Sequence, residues 1–407
     1  MERVELARLL GGKSVAQGAQ RILIAESDPQ KFMPALARAL AGQAEVFLCN
    51  PEWGALERNQ VDALLQSRPS SGSGYLMIPT GGTGGKLRFA RHDAATIAAA
   101  VRGFTRHFEL PQVNAAGVLP LYHVSGFMAW MRCVLTGGEY RPLDWKAVEG
   151  GHLPAFPAKA HGWTLSLVPT QLERLLRQER AVAWLQTFRI IFLGGAPAWP
   201  ALLDRAAALR LPLSPGYGMT ETAAMVAALR PEQFLAGARS SGAMLPHARL
   251  RFDEEGSILL GGDSIFRGYY PEWREPADDF ATQDGGWLDE RGQLHVTGRR
   301  DAVIISGGEK VNPVEVEAVL RGTGEFSDVV VLGVPDTEWG ESVVAAYPAE
   351  KEPNLARVET ALGKLLSPAK RPKRLVPVTA WPVNAQGKVN RGEVARLVGL
   401  TQSFHRR

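Results

Sequence analysis

An α/β fold, with a large N-terminal domain of parallel-rich sheets flanked by helices and a small α+β C-terminal domain, is predicted by three features of this 407-residue chain. From Tyr75 onward, apolar strand-like segments alternate with helical stretches, the pattern of parallel sheets covered by helices. Beyond Arg299-Arg300-Asp301 that alternation gives way to a compact run of strand, Gly-Gly turn, helix and strand. The composition, 45% hydrophobic and 22% charged, is that of a globular chain long enough for two or three domains with substantial cores.

The elements follow in order. Arg21-Ile22-Leu23-Ile24-Ala25 reads as a strand, Pro34 to Ala41 as a helix, and Glu45-Val46-Phe47-Leu48 as a second strand. Residues 68–74 form a connector rich in Pro, Gly and Ser, after which Tyr75-Leu76-Met77-Ile78 opens the next strand. Helical stretches are expected over Asp93–Phe104, Gln171–Gln178 and Ala201–Leu209, with an apolar strand at Arg189–Leu193. The domain boundary is placed between residues 300 and 301. Past it come a strand at Ala302–Ile305, a turn at Gly307-Gly308 and a helix that starts at Asn312-Pro313. Asn at the cap and Pro at the first helical position define that start, and Glu315 and Glu317 suit the positive end of the helix dipole. Gly322 is expected to stop this helix. A strand at Asp328–Val334 and a helix at Val358–Leu366 complete the small domain.

The formal charge of +4 is mild, and basic residues are scattered apart from Lys370-Arg371-Pro372-Lys373-Arg374. A nucleic-acid footprint is therefore not expected, although the balance suits small anionic substrates. Cys49 and Cys133 are too few for a disulfide framework or a cysteine metal site, which points to a reducing cytoplasm. Met1-Glu2-Arg3-Val4-Glu5 lacks the pattern of a signal peptide, and no apolar run approaches the roughly 20 residues of a membrane span.

Chemistry concentrates in a few segments. Thr80-Gly81-Gly82-Thr83-Gly84-Gly85-Lys86-Leu87-Arg88 follows a strand and combines close backbone approach, hydroxyl donors and positive charge, as a polyphosphate requires. It is not a Walker A loop, because Leu87 stands where the magnesium-binding hydroxyl must be. Gly194-Gly195-Ala196-Pro197 follows the apolar strand at 189–193. Small residues beyond the carboxyl end of a parallel strand leave room for a flat base. Pro215-Gly216-Tyr217-Gly218-Met219-Thr220-Glu221-Thr222 places an aromatic face, a hydroxyl and a carboxylate in one turn. These are parts for stacking on a base, donating to a phosphate and ligating Mg²⁺, which takes one or two carboxylates beside phosphate oxygens.

These segments resemble, in the same order, the motifs of the adenylate-forming superfamily of acyl-CoA ligases, luciferases and nonribosomal adenylation domains. The loop at 80–88 is similar to T-S-G-T-T-G-x-P-K, with Gly84, Leu87 and Arg88 replacing Thr, Pro and Lys. Pro120-Leu121-Tyr122-His123-Val124-Ser125-Gly126 resembles P-L-x-H-x-x-G, and its H-x-S-G form is particularly like that of the o-succinylbenzoate-CoA ligases of menaquinone and phylloquinone biosynthesis. Tyr217–Glu221 matches Y-G-x-T-E. Gly261–Tyr270 matches G-x-S-x-x-x-G-Y-Y, Thr282–Asp289 resembles T-G-D-x-G-x-x-D, Gly298–Asp301 matches G-R-x-D and Pro382–Arg391 matches P-x-x-x-x-G-K-x-x-R.

The resemblance implies ATP-dependent activation of a carboxylic acid through an acyl-adenylate, then transfer to CoA, with o-succinylbenzoate the first acid indicated. It implies that Thr80, Gly81, Gly82, Thr83, Gly84, Gly85 and Arg88 cradle phosphates. Gly195, Ala196, Pro197, Gly216, Tyr217, Gly218 and Met219 would enclose the nucleotide, Asp284 would bind ribose, and Arg299 would contact ribose or phosphate. Thr220, Glu221 as the Mg²⁺ ligand, His123 and Lys388 would be catalytic, with Lys388 reaching the acid and the α-phosphate from the small domain. His123, Ser125, Gly218 and Thr222 would line the acid pocket, Gly307 and Gly308 would line the CoA channel, and Asp301 would be the hinge of a mobile small domain. Dimers are compatible with the resemblance. Two other readings stay open: a different acyl- or aryl-CoA ligase or stand-alone adenylation enzyme, and a catalytically silent nucleotide-binding relative, which the altered phosphate loop keeps in view.

Overall fold

A computed structural model describes residues 20–41, 44–67, 75–81, 87–158, 161–275, 278–306, 309–337, 339–383 and 389–404. Its strands fall into four sheets. In the first, β1 (Arg21–Ala25), β2 (Glu45–Cys49) and β3 (Leu76–Gly81) run parallel, and β4 (Leu87–His92) returns antiparallel to β3. In the second, β5 (Ala115–Gly117), β6 (Tyr140–Pro142), β7 (Thr164–Leu167), β8 (Ile190–Leu193) and β9 (Leu213–Met219) form the parallel part. To these β10 (Ala224–Ala228) and β11 (Ala243–Met244) add an antiparallel edge, giving the order β11-β10-β9-β8-β7-β5-β6.

The second sheet is buried on both faces, and β8 shows why its sequence is wholly apolar. Ile191 and Leu193 face a cluster with Leu165, Leu167, Leu172 and Leu203. The alternate residues, Ile190 and Phe192, face Phe104, Phe108 and Cys133. A strand covered on both sides has no position for a polar residue, and each such side chain contributes roughly 1.5–3 kcal/mol by leaving water. The helices that cover it are Ala94–Phe108 and Val124–Thr136 on one face and Pro169–Leu175, Glu179–Leu185 and Pro200–Ala208 on the other.

Asp93 caps the helix Ala94–Phe108 in a reciprocal box, accepting from Thr96 N at 2.9 Å while its own amide donates to Thr96 Oγ1 at 3.1 Å. Arg267 Nε donates to the same carboxylate at 2.8 Å, which ties the helix start to a segment 174 residues away.

The expectation of parallel sheets does not extend to the third sheet. There β12 (Ala248–Phe252), β13 (Ser257–Gly262), β14 (Phe280–Leu288) and β15 (Leu294–Arg299) are antiparallel throughout. Among the described residues no helix lies between these strands, so each pairs antiparallel with its predecessor, through short turns except between β13 and β14, where residues 263–279 intervene. The fourth sheet comprises β16 (Ile304–Ser306), β17 (Glu309–Val311), β18 (Val330–Asp336), β19 (Gly340–Pro348) and β20 (Arg374–Val378), with its own core around Val311, Val316, Leu320, Val331 and Val343. The 3-10 turn Arg300–Ala302 separates it from the third sheet and occupies the start of the strand expected there. Asn312 does cap the following helix, Pro313–Gly322, by accepting from Val314 N at 3.0 Å.

Glu317 departs from its expected role at the helix dipole. It is buried, accepting from Val331 N at 2.8 Å and from Arg391 Nη1 at 2.6 Å on one oxygen and from Arg321 Nη1 at 3.2 Å on the other. A buried carboxylate persists only when paired in this way. Arg391, the last residue of the G-K-x-x-R segment, therefore braces the small domain from within.

Candidate active site

The parallel strands β5, β7, β8 and β9 deliver their carboxyl ends to one side of the second sheet, where open α/β sheets bind ligands. Gly195, Ala196 and Pro197 lie exposed just past β8, with Gly195 at φ 79°. Beside them β9 ends in the 3-10 turn Thr220–Thr222 and the chain reverses into β10. Only glycine fits at 218, since a Cβ there would lie 2.0 Å from the carbonyl oxygen of Ala224. Thr222 was expected to line the acid pocket, but it has no exposed surface. Its hydroxyl accepts from Met219 N and donates to Met219 O, both at 3.0 Å. A short polar side chain that can close its own turn does so, which leaves Thr222 shaping the turn.

That turn presents Glu221, which is buried. Its Oε1 accepts from Tyr269 Oη at 2.7 Å and from Thr80 Oγ1 at 3.3 Å. The Arg88 guanidinium sits 4.2 Å above the Tyr269 ring. Thr80 at the end of β3, Arg88 at the start of β4 and Glu221 thus converge. The backbone of the turn is held from behind by His92, whose Nε2 lies 2.8 Å from the Thr220 carbonyl oxygen and whose Nδ1 lies 3.1 Å from Thr96 Oγ1. Burial pushes the His92 pKa down to about 4. The ring is therefore neutral at pH 7, and only the tautomer protonated on Nε2 can donate to that carbonyl.

Tyr217 and Asp284 also meet: the phenol donates to Asp284 Oδ2 at 2.6 Å. Burial and the neighbouring carboxylate hold the Tyr217 hydroxyl far above the usual tyrosine range, so it remains a donor. Asp284 stands opposite Arg299 in the β14–β15 register. Thr282 fixes the approach of Asp284, accepting from its amide at 3.1 Å and donating to the Ile258 carbonyl at 2.8 Å.

On the acid side, His123 caps the helix Val124–Thr136 with backbone geometry alone and packs against Tyr122, with ring centroids 4.7 Å apart. Ser125 is half-buried in the first turn. Gly126 is required because a Cβ would lie 2.2 Å from the Pro120 carbonyl oxygen. Further along the same helix Arg132 is buried, with its guanidinium 3.9 Å above the Phe104 ring and close to Phe192. No acidic side chain among the described residues pairs with it, and its Nε has no hydrogen-bond partner. Burial pushes its pKa down to about 10, and Arg132 in turn adds to the burial that pushes the His247 pKa to about 4.

Gly82, Thr83, Gly84, Gly85, Gly307, Gly308 and Lys388 lie outside the described residues. Asp301 lies in the 3-10 turn between the third and fourth sheets. Three residues of this region were not singled out from sequence: His92, Tyr269 and Arg132. Tyr269 lay inside a recognised motif, and a charged Arg amid the apolar run Phe127–Leu135 was a signal available for Arg132.

Among the described residues no cluster of three or more His, Cys, Asp or Glu side chains could cage a metal. Glu221 is nonetheless a hard oxygen donor whose Oε2 receives no hydrogen bond from a described residue, which suits a cation that takes its other ligands from phosphate and water. No described helix is long and apolar enough to cross a membrane.

An open, helix-covered sheet with a buried Glu beyond its strand ends, joined through Tyr217 to Asp284 of the third sheet, defines an α/β protein with an appended small domain. Residues 12–270 match the AMP-binding enzyme family and residues 315–388 match the AMP-binding enzyme C-terminal domain, so the chain belongs to the AMP-binding enzymes. It is 32% identical over 290 residues to a 2-succinylbenzoate–CoA ligase of Oceanobacillus iheyensis, covering 68% of this chain and 60% of that protein. A namesake from Geobacillus kaustophilus is 33% identical over 313 residues, 70% of this chain and 61% of its own length. The chain thus spans about 60% of the length of these curated relatives.

The fold is shared with o-succinylbenzoate CoA synthetase (MenE) from Bacillus subtilis in complex with its acyl-adenylate intermediate, at a TM-score of 0.77, 23% identity, and coverage of 96% of this chain and 91% of that one. ATP-bound MatB from Rhodopseudomonas palustris aligns with the same TM-score at 20% identity, covering 98% and 92%.

Proposed function

We propose that this protein activates a carboxylic acid with ATP and transfers the acyl group to CoA, with o-succinylbenzoate or a close aromatic dicarboxylic acid as substrate. The observation that carries the acid assignment is Arg132, a buried cation with no acidic partner among the described residues. A buried charge without a counter-charge is costly, and a ligand carboxylate would relieve that cost. An acid with two carboxylates can present one to ATP and the other to Arg132.

The remaining roles follow from the site. Tyr217 offers a face to adenine, and Asp284 accepts from the ribose hydroxyls. Thr220 and Arg88 face the phosphates. A divalent cation at Glu221 would supply charge neutralisation on the phosphates, and Mg²⁺ fits a single carboxylate. An oxygen of the acid attacks the α-phosphorus as the bond to pyrophosphate breaks, and the CoA thiolate then attacks the acyl carbon as AMP leaves. Lys388 is assigned to the first step, Gly307 and Gly308 to the CoA path, Asp301 to the hinge, and the cytoplasm to the setting.

Pyrophosphate exchange into ATP, run with o-succinylbenzoate and a panel of mono- and dicarboxylic acids, tests the reading. Exchange with the aromatic dicarboxylic acid, followed by CoA-dependent release of AMP, is expected. Absence of exchange with every acid would leave only a nucleotide-binding role.

A further inference from the structure

We infer that Tyr269 is a positioning residue for the metal-binding carboxylate: its hydroxyl, together with that of Thr80, engages Glu221 Oε1 and leaves Oε2 to ligate a divalent cation. The inference rests on the proposed nucleotide reading of the site and assigns a residue which that reading does not use.

Tyr269 is held by a rigid element. The Arg267–Tyr270 segment adds to the edge of β4: Arg91 N donates to Gly268 O at 2.9 Å, Arg267 N donates to Arg91 O at 2.8 Å and Tyr270 N donates to Phe89 O at 2.9 Å. Ala90 and Tyr269 form a β-bridge. Successive side chains on an extended segment point to opposite faces. Tyr270 accordingly packs into the cluster with Phe47 and Phe89, and Tyr269 is delivered to the site.

The consequence is chemical. A carboxylate has two oxygens, and on a short 3-10 turn it is free to present either or both to a cation. Two hydroxyl donors on Oε1, at 2.7 Å and 3.3 Å, fix the plane of the group and favour single-oxygen ligation through Oε2. Mg²⁺ demands near-octahedral geometry at short distances, so this restraint suits it. The same ring carries the Arg88 guanidinium at 4.2 Å, so one residue touches both the metal carboxylate and the phosphate cation.

Two variants separate these contacts. Tyr269→Phe removes only the hydroxyl; Tyr269→Leu removes the ring beneath Arg88 as well. Mn²⁺ titrations followed by electron paramagnetic resonance, in the presence of ATP and without acid or CoA, read metal affinity apart from turnover. Tyr269→Phe is expected to weaken Mn²⁺ binding about tenfold or more, as loss of a hydrogen bond to a metal ligand does. Calorimetric binding of ATP in EDTA should match the wild type. Tyr269→Leu should weaken ATP binding in EDTA as well. Wild-type Mn²⁺ affinity in Tyr269→Phe would overturn the inference while leaving the nucleotide reading intact. Absence of ATP-dependent Mn²⁺ binding in the unmutated protein would overturn both.

Discussion

On the nucleotide side of the cleft, Asp284 accepts from Tyr217, Glu221 accepts from Tyr269 and Thr80, and Asp93 accepts from Arg267. On the helix that follows His123, Arg132 is buried against Phe104 with no acidic partner among the described residues. The first wall is preorganised: its carboxylates are already held by donors, so on the proposed function little reordering would accompany nucleotide binding. The second is left incomplete in the free protein, which makes its cost contingent on the ligand. On the proposed function, selectivity for the acid would reside where charge is unsatisfied, because an acid lacking the second carboxylate would leave that cost in place.

Acidification bears on both walls and has the largest expected effect. His92 behind the nucleotide turn and His247 beside Arg132 are each pushed down to about 4 by burial, whereas the unfolded side chains titrate near 6.5. Between those values the unfolded chain binds more protons, so stability present above pH 6.5 is lost as pH falls toward 4. Each histidine would account for up to about 3 kcal/mol. Melting temperatures measured from pH 7.5 to 4.5 should fall with acidification. Replacing either histidine by Gln should flatten part of that slope; equal slopes in all three proteins would show that neither histidine is the cause.

Arg132→Met is expected to raise KM for an aromatic dicarboxylic acid about a hundredfold, close to 3 kcal/mol, and to leave a monocarboxylic analogue unaffected. The same variant should melt at a higher temperature than the parent, since it removes an uncompensated buried charge. A lower melting temperature with unchanged KM would abolish the contrast between the walls.

Smaller changes are expected on the preorganised side. Asp284→Asn keeps an acceptor for Tyr217 but loses charge toward ribose, and KM for ATP should rise about tenfold, near 1.4 kcal/mol. Thr80→Val removes the longer of the two bonds to Glu221 Oε1 and should cost a few-fold in the same measurement, roughly 0.5–1 kcal/mol. If Thr80→Val exceeded Asp284→Asn, the ranking of contacts on this wall would be wrong.

Much of the fold was legible locally. The unbroken apolar run of β8 announced a strand covered on both faces, and Asn312-Pro313 fixed a helix start that the structure reproduces. Asp93 was placed inside its helix by pattern and proves to be the cap before it. The parallel expectation failed in the third sheet, where strand periodicity carries no information about direction.

The chemistry of the candidate site divides in the same way. Residue types within one short segment, such as Tyr217, Thr220 and Glu221, could be read together because the chain itself holds them close. Thr222 could not be assigned, since whether a hydroxyl faces a pocket or closes its own turn depends on backbone geometry. Tyr269 and Thr80 stand 48 and 141 residues from the carboxylate they share.

The sequence by itself determined the α/β class, the order of the motifs and the chemical types available for a nucleotide, a cation and an acid. Local patterning suffices for these, because periodicity, capping and turn composition act over a few residues. Only the tertiary structure decided which oxygen of Glu221 is restrained, that Asp284 meets Tyr217, that Glu317 is an interior brace and that Arg132 is buried without an acidic partner among the described residues. Each of these depends on which distant groups share a dry environment, and burial and pairing are fixed when the sheets and helices close on one another.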